Sequence, residues 1–448
     1  MADSNSVLRR LLVTVCAATH TTELAARWLG TAYFLPALFT LRYANMGGLD
    51  REVFARQLDG ARSFTDDGWC GYWNAIAEEH LQSAQRAVDQ LTSGSRPSLL
   101  DLTRDFDDAT ANQLADSLSP GTVVLAENGP QNNHGAVERL AHDLAGKQES
   151  SDASSLVAAA IAADEIVKAI TYFQVSAFPG NTSRRIDAYW RSRRLFDALV
   201  PALRSGLGAS IERFRVAVDD EVTEGWAILP PGDAPVPAVL VTNGLEGTVQ
   251  ELAIPFLRQR DSGNAVFMME MPGTYAHARP MSTASEAIYH AVIDHVAQDP
   301  RVDAKRIGMV GISFGGHWSA RMAARSPVLK AVVACGAPTH LSFKPGLGTP
   351  EIFADALAKV TGTSTTMGLL RALRALSIRD LYSQIAIPLL VINGERDTLL
   401  STQDSIDLAT AAPQGLLKLY PDDDHCAMGH YAEWGALSHA WLAGHLAR

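Results

Sequence analysis

The sequence predicts an α/β protein: a mostly parallel sheet, covered by helices on both faces, preceded by a helical N-terminal half. Three observations predict it. Apolar residues recur at spacings of three to four up to about residue 209; beyond it, short runs rich in valine, isoleucine, leucine and methionine alternate with helical stretches. One such run, Arg306-Ile307-Gly308-Met309-Val310, leads through Gly311-Ile312-Ser313-Phe314-Gly315-Gly316 into an alanine-rich helical pattern from His317 to Ala324.

A chain of 448 residues exceeds one ordinary compact core and suits two domains. We expect a helical domain over 1–209 and an α/β domain over 210–448. In the first, Leu24, Trp28, Ala32 and Leu35, then Trp69, Tyr72, Trp73 and Ile76, carry the helical spacing. Two polar, turn-rich segments, Thr92 to Pro97 and Gln148 to Asp152, enclose a stretch read as an insertion over about 92–154. It holds a short strand candidate, Thr122 to Leu125, and a loop signal from Glu127 to Asn133. Helical patterning resumes over Leu156 to Phe178 and Ile186 to Leu203.

After Ala209 the period changes to two. Phe214 to Val218 and Gly225 to Leu229 read as an antiparallel pair, and Pro230-Pro231-Gly232-Asp233 turns the chain into a continuous apolar strand, Ala238 to Thr242. Val266 to Met269, Gly308 to Val310, Ala331 to Ala334, Pro388 to Ile392 and Leu416 to Tyr420 complete the strand series.

Composition bounds the chemistry. Hydrophobic residues make up 47% and charged residues 19%, a globular balance that predicts a soluble chain. With a net charge of -11 and no dense basic stripe, nucleic acid is not an expected partner. Cys16, Cys70, Cys335 and Cys426 are scattered without metal-site spacing, which fits a reducing cytoplasm and neither a zinc site nor a disulfide framework. Arg9-Arg10 and the short apolar run after it read as a helix rather than a leader peptide, and no run approaches the length of a membrane span. Asn181-Thr182-Ser183 matches a glycosylation sequon and reads as coincidence. His290 and His295 stand five apart, on different faces of a helix, and no phosphate loop, nucleotide fingerprint or metal motif occurs, so neither cofactor nor metal is expected.

The strand, cramped glycine turn and helix around Ser313 form the pattern of a nucleophile elbow, which belongs to the α/β-hydrolase fold. A serine hydroxyl is a weak nucleophile at neutral pH, so it needs a base, and the base needs a carboxylate to hold its tautomer. Asp397, after the strand Leu389-Leu390-Val391-Ile392, and His425, after the next strand, supply these in the chain order the fold uses. Glu395, His430 and His439 are the competitors; the two histidines fall in the final helix. The N–H of Phe314 and that of Leu245, in Asn243-Gly244-Leu245-Glu246-Gly247, are assigned to an oxyanion hole. Tyr172, Phe173, Tyr189 and Trp190 read first as helical-core packing and second as a lid over the substrate, Tyr275 in the Pro272-Gly273-Thr274-Tyr275 loop is a further substrate-binding candidate, and Met268, Met269, Met271 and Met281 are core filler or a pliable substrate wall.

Asn243-Gly244-Leu245-Glu246-Gly247-Thr248 with Glu251, then Glu270-Met271-Pro272-Gly273-Thr274, then the elbow, resemble the FrsA-like esterase family of α/β-hydrolases. The resemblance covers the C-terminal half and carries the triad onto Ser313, Asp397 and His425. It implies a small-molecule substrate with an ester, thioester or ketone-activated carbon–carbon bond, some relatives acting on aromatic polyketides. It also implies a helical lid and a homodimer. Two positions depart: Glu270 stands where many relatives carry aspartate, and Tyr275 where many carry glycine. Acyl transfer or cyclisation by the same triad, and a non-catalytic binding protein of the same fold, are the alternative readings.

Overall fold

The computed structural model describes residues 7–92, 97–131, 133–147, 152–180, 182–232, 234–344 and 349–447. The sequon asparagine Asn181, Asn132, Asp233 and most of the two polar segments, 93–96 and 148–151, lie outside the described residues.

Short helices α1 (Val7–Thr19), α2 (Thr22–Leu29), α3 (Leu38–Asn45) and α4 (Arg51–Gly60) lead into the long helix α5 (Asp66–Leu91). They are followed by α6 (Asp108–Asn128), α7 (His134–Lys147), α8 (Ala153–Ala177) and α9 (Ser183–Leu207). Side-chain oxygens start most of these helices: Asp50, Thr65, Asp107, Asp152 and Thr182 each accept from a backbone N–H of the first turn of α4, α5, α6, α8 and α9. The stripe on α5 points inward, with Trp69 and Trp73 fully buried, whereas Trp28 on α2 is 83% exposed and Leu24 lies beside it in solvent.

Helix α8 is buried on almost every side, between α5, α6, α7 and α9. Its many alanines let neighbours approach closely, and its buried charges are paired, Lys168 with Asp164 and Glu165, and Glu165 with His80. The segment read as an insertion supplies α6 and α7, and Leu114, Leu118 and Leu125 of α6 join the main core. Thr122 to Leu125 is not a strand but part of α6. Gly121 lies so close to the α8 backbone that an added Cβ would stand 2.2 Å from the carbonyl carbon of Ala159, so helix packing overrides the β-branched preference.

The sheet has eight strands in the order β1-β2-β4-β3-β5-β6-β7-β8. These are β1 (Ser210–Val218), β2 (Glu221–Leu229), β3 (Val236–Thr242), β4 (Ala265–Met269), β5 (Val302–Ile312), β6 (Leu329–Cys335), β7 (Leu389–Gly394) and β8 (Gly415–Tyr420). Strand β2 runs antiparallel to β1 and β4, and all other pairs are parallel. Helices α10 (Val249–Phe256), α11 (Glu286–Gln298), α12 (Phe314–Arg325), α13 (Glu351–Val360), α14 (Thr366–Ala375), α15 (Thr402–Ala411) and α16 (Tyr431–Leu446) complete the layers.

Alternation along the strands divides two cores. Val239, Val241, Val310, Ile312 and Val333 face the helical half and α16, while Leu240, Phe267, Met309, Val332 and Val391 pack on the other face with α11 and α12. Met268, Met269, Met271 and Met281 are buried filler in these cores and none lines the pocket beside Ser313.

Candidate active site

Ser313 sits between β5 and α12 with φ 57° and ψ -121°, a backbone conformation costly for a side chain and held by its surroundings. Its N–H donates to the Cys335 carbonyl on β6 at 2.7 Å. The flanking glycines are required by contact: an added Cβ would stand 2.0 Å from the Gly315 carbonyl oxygen at Gly311, and 2.4 Å from the Thr242 carbonyl oxygen at Gly315. Neither crossing tolerates even a methyl group.

The Ser313 hydroxyl lies 2.9 Å from His425 Nε2, and His425 Nδ1 lies 2.8 Å from Asp397 Oδ2. Asp397 also accepts from the Leu399 and Leu400 N–H groups through Oδ1 and from the Asn393 amide through Oδ2. Burial pushes its carboxyl up, yet the adjacent His425 and these donors hold it below the usual aspartate value. On His425, burial pulls the imidazole down, but the Asp397 charge and hydrogen bond outweigh that and carry it well above the ordinary histidine value.

Asn393 was missed from sequence. It orients both sides of this contact, because its Oδ1 accepts from the Cys426 N–H while its amide donates to Asp397. Asp424 accepts from the His425 N–H and from Thr398, fixing the loop that carries the imidazole. Of the competitors, Glu395 is exposed, His430 pairs with Asp423 at 2.8 Å, and His439 lies on α16 away from Ser313.

Opposite Ser313 stands the β3–α10 turn. An added Cβ on Gly244 would stand 2.6 Å from Ser313 Cβ, so the turn approaches the hydroxyl as closely as backbone can. Gly244 N–H is taken by Asn243 Oδ1, and Leu245 and Phe314 both line the space beside the hydroxyl. That space is a cavity of about 120 Å³ walled by Leu38, Phe343, Phe353, Leu357, Leu373, Leu400 and Met428.

Among the described residues Arg42 of α3 is the one arginine or lysine in its wall. The guanidinium donates to both carboxylate oxygens of buried Glu251, at 2.6 and 2.8 Å, and to the Glu246 carbonyl at 3.0 Å. Glu251 in turn accepts from Asn243, so a residue of the helical half grips the turn that carries Leu245. Glu246 adds a second grip, accepting from the Gly180 N–H at 2.7 Å; burial pushes its carboxyl up to about 7. Arg42 carried no recognisable motif, and only the charge of Glu251 inside an otherwise apolar helix start hinted that a cation must meet it.

Tyr172, Tyr189, Trp190 and Tyr275 do not line this cavity. Tyr172 stacks on Trp73 and His80 in the helical core and donates to Gln57, with Phe173 buried beside it. Tyr189 stacks on Tyr275 at 4.4 Å and donates to Glu270, with Trp190 packed edge-on. Glu270 also accepts from the Val249 N–H. These aromatics and the divergent Glu270 fasten α9 to the sheet.

Among the described residues no group of three or more His, Cys, Asp or Glu side chains is placed to hold a metal ion, and no helix is long and apolar enough to cross a membrane. The four cysteines are free and buried.

The sheet order, elbow and covering helices define an α/β-hydrolase. Residues 147–419 match the family model described as esterase FrsA-like, so the chain belongs to the FrsA-like esterase family. Over 211 residues it is 29% identical to esterase FrsA of Vibrio cholerae, 45% of this chain and 49% of that one; the chain thus spans about half the length of these esterase FrsA relatives. A 2,6-dihydropseudooxynicotine hydrolase of Paenarthrobacter nicotinovorans is 27% identical over 270 residues, 59% of this chain and 72% of that one. Among solved structures, a 2,6-dihydroxy-pseudo-oxynicotine hydrolase superposes with a TM-score of 0.64 at 20% identity, covering 90% of this chain and 95% of that one. AbyA5 superposes with a TM-score of 0.56 at 22% identity, covering 76% and 95%. At these identities the two superpositions establish shared fold.

Proposed function

We propose that the protein is a cofactor-independent serine hydrolase that cleaves an ester, a thioester or a ketone-activated carbon–carbon bond of an aromatic or polyketide-like small molecule. One observation carries this reading: the unbroken hydrogen-bonded chain from Ser313 through His425 to Asp397, opening on an apolar cavity. His425 Nε2 takes the serine proton as Oγ bonds to the substrate carbonyl carbon. Negative charge gathers on the carbonyl oxygen, where the N–H groups of Phe314 and Leu245 and the positive end of α12 stabilise it. Collapse breaks the bond to the leaving group, which receives the proton from His425. Where that group is a carbon, the adjacent ketone holds the electron pair as an enolate until the proton arrives. Water, deprotonated by His425, then attacks the acyl carbon and frees Ser313.

The helical half acts as a lid in this reading, since Leu38, Arg42 and Met46 help wall the cavity. The test is a fluorophosphonate label read by intact mass. Wild type should gain one adduct and Ser313→Ala none, with ester turnover falling at least about a thousandfold in the variant. Equal labelling of both proteins would overturn the reading.

A further inference from the structure

Leu38, Arg42 and Met46 follow one another at intervals of four residues along α3 and just past its end, and all three line the cavity at Ser313. One stripe of that helix is therefore turned toward the nucleophile candidate. An apolar residue at the middle position would complete the wall; a guanidinium stands there instead.

Its donors are unevenly spent. Nε donates to one oxygen of Glu251, and Nη2 donates to the other and to the Glu246 carbonyl. Nη1 makes no hydrogen bond to any described residue and, unlike the orphaned donors of the core, keeps accessible surface; the Arg42 side chain is 13% exposed. Arg42 borders the cavity at Ser313 and not the wider cleft beside α16. Two N–H groups thus remain unspent at the wall of the site. The paired bonds to Glu251 hold the plane of the fork, so little freedom is lost when an acceptor meets it.

Position and charge define that acceptor. Glu246 directly follows Leu245, whose N–H is assigned to the oxyanion hole, so the guanidinium stands beside the place where the reacting oxygen gathers charge. An oxygen that reaches Nη1 is a near neighbour of the reacting one within the substrate. Glu251 already balances the cation and the surrounding wall is largely apolar, which suits a neutral carbonyl oxygen better than a second carboxylate.

We propose that Arg42 is a specificity-determining residue whose Nη1 donates to the second oxygen of a 1,3-dicarbonyl substrate, either a β-keto ester or a β-diketone. This rests on Ser313 attacking the first carbonyl, and the test separates the two. In a β-diketone the bond from the attacked carbon to the central carbon breaks. Its electron pair passes to the second carbonyl as an enolate, Nη1 meets the charge on that oxygen, and His425 delivers its proton to the central carbon. In a β-keto ester the alkoxide leaves with that proton, and Nη1 orients the acyl group.

Initial rates are followed by pH-stat for ethyl acetoacetate and for ethyl 3-methylbutanoate, which carries a methyl group in place of the second oxygen. Each kcat/KM is divided by the hydroxide-catalysed rate constant of the same ester, which removes the difference in intrinsic reactivity. Wild type should then favour the keto ester by about tenfold or more, the worth of one charge-assisted hydrogen bond. Arg42→Lys keeps a cation for Glu251 and removes Nη1; Arg42→Gln combined with Glu251→Gln strands neither charge. In both variants, with circular dichroism confirming the fold, the preference should fall to about one. A wild type that treats the two esters alike, or variants that slow both in proportion, as a purely structural ion pair would, overturns the inference. Loss of the enol absorbance of 1-phenyl-1,3-butanedione tells the two sources apart: cleavage that depends on Arg42 supports a β-diketone, and a keto ester preference without it supports a β-keto ester. Turnover that persists in Ser313→Ala instead refutes the assignment of the nucleophile.

Discussion

At the scale of single residues, protonation sets the strongest expectations. In the proposed mechanism His425 is neutral when it takes the serine proton, and Asp397 raises its proton affinity, so the acid limb of a kcat/KM against pH profile should have its inflection above the ordinary histidine value of about 6.5. An inflection below 6 would contradict the buried pairing. Glu246 acts on stability instead. Its folded pKa, about 7, lies above the unfolded value near 4.5, so its favourable contribution is complete below about pH 4.5 and disappears as pH rises through 7. Compared with Glu246→Gln in urea titrations, wild type should lose on the order of 3 kcal/mol across that window. Arg42→Ala strands the Glu251 carboxylate without its cation and should cost about 3–5 kcal/mol by the same titration.

At the scale of elements, the elbow makes the sharpest demand. Gly311→Ala drives a methyl group into the Gly315 carbonyl and should cost about 3 kcal/mol, the upper end of overpacking penalties, with loss of ester turnover. What was legible in the sequence follows from how local each signal is. The strand-turn-helix around Ser313, and the strand ends that carry Asp397 and His425, announce themselves through runs and turn residues a few positions long. The error at Thr122 to Leu125 has the opposite origin: four residues that favour a strand sit in a helix because Gly121 lets α6 press against α8, a contact made with residues almost forty positions away. The aromatics of α8 and α9 take the core-packing role expected first for them and not the lid role, for a related reason. Their spacing revealed a buried face but not what it faces, and Tyr189 turned out to face Tyr275 and Glu270 rather than a substrate.

At the scale of the whole molecule, the two halves share one core. Side chains of α5, α8 and α9 belong to the same buried cluster as Val241, Val310 and Ile392 of the sheet, so calorimetry should record one cooperative unfolding transition rather than two. Two well-separated transitions would mean that the halves are held together less closely than their packing implies.

The links between Arg42 and Glu251, Gly180 and Glu246, and Tyr189 and Glu270 all cross the junction of those halves; the last two are buried and the first is largely so. A roof riveted at three points does not swing. On the proposed reading, admission to Ser313 then depends on small side-chain excursions rather than on bulk displacement of a domain through solvent, and thickening the medium with sucrose should slow turnover no more than it slows diffusion of the substrate itself.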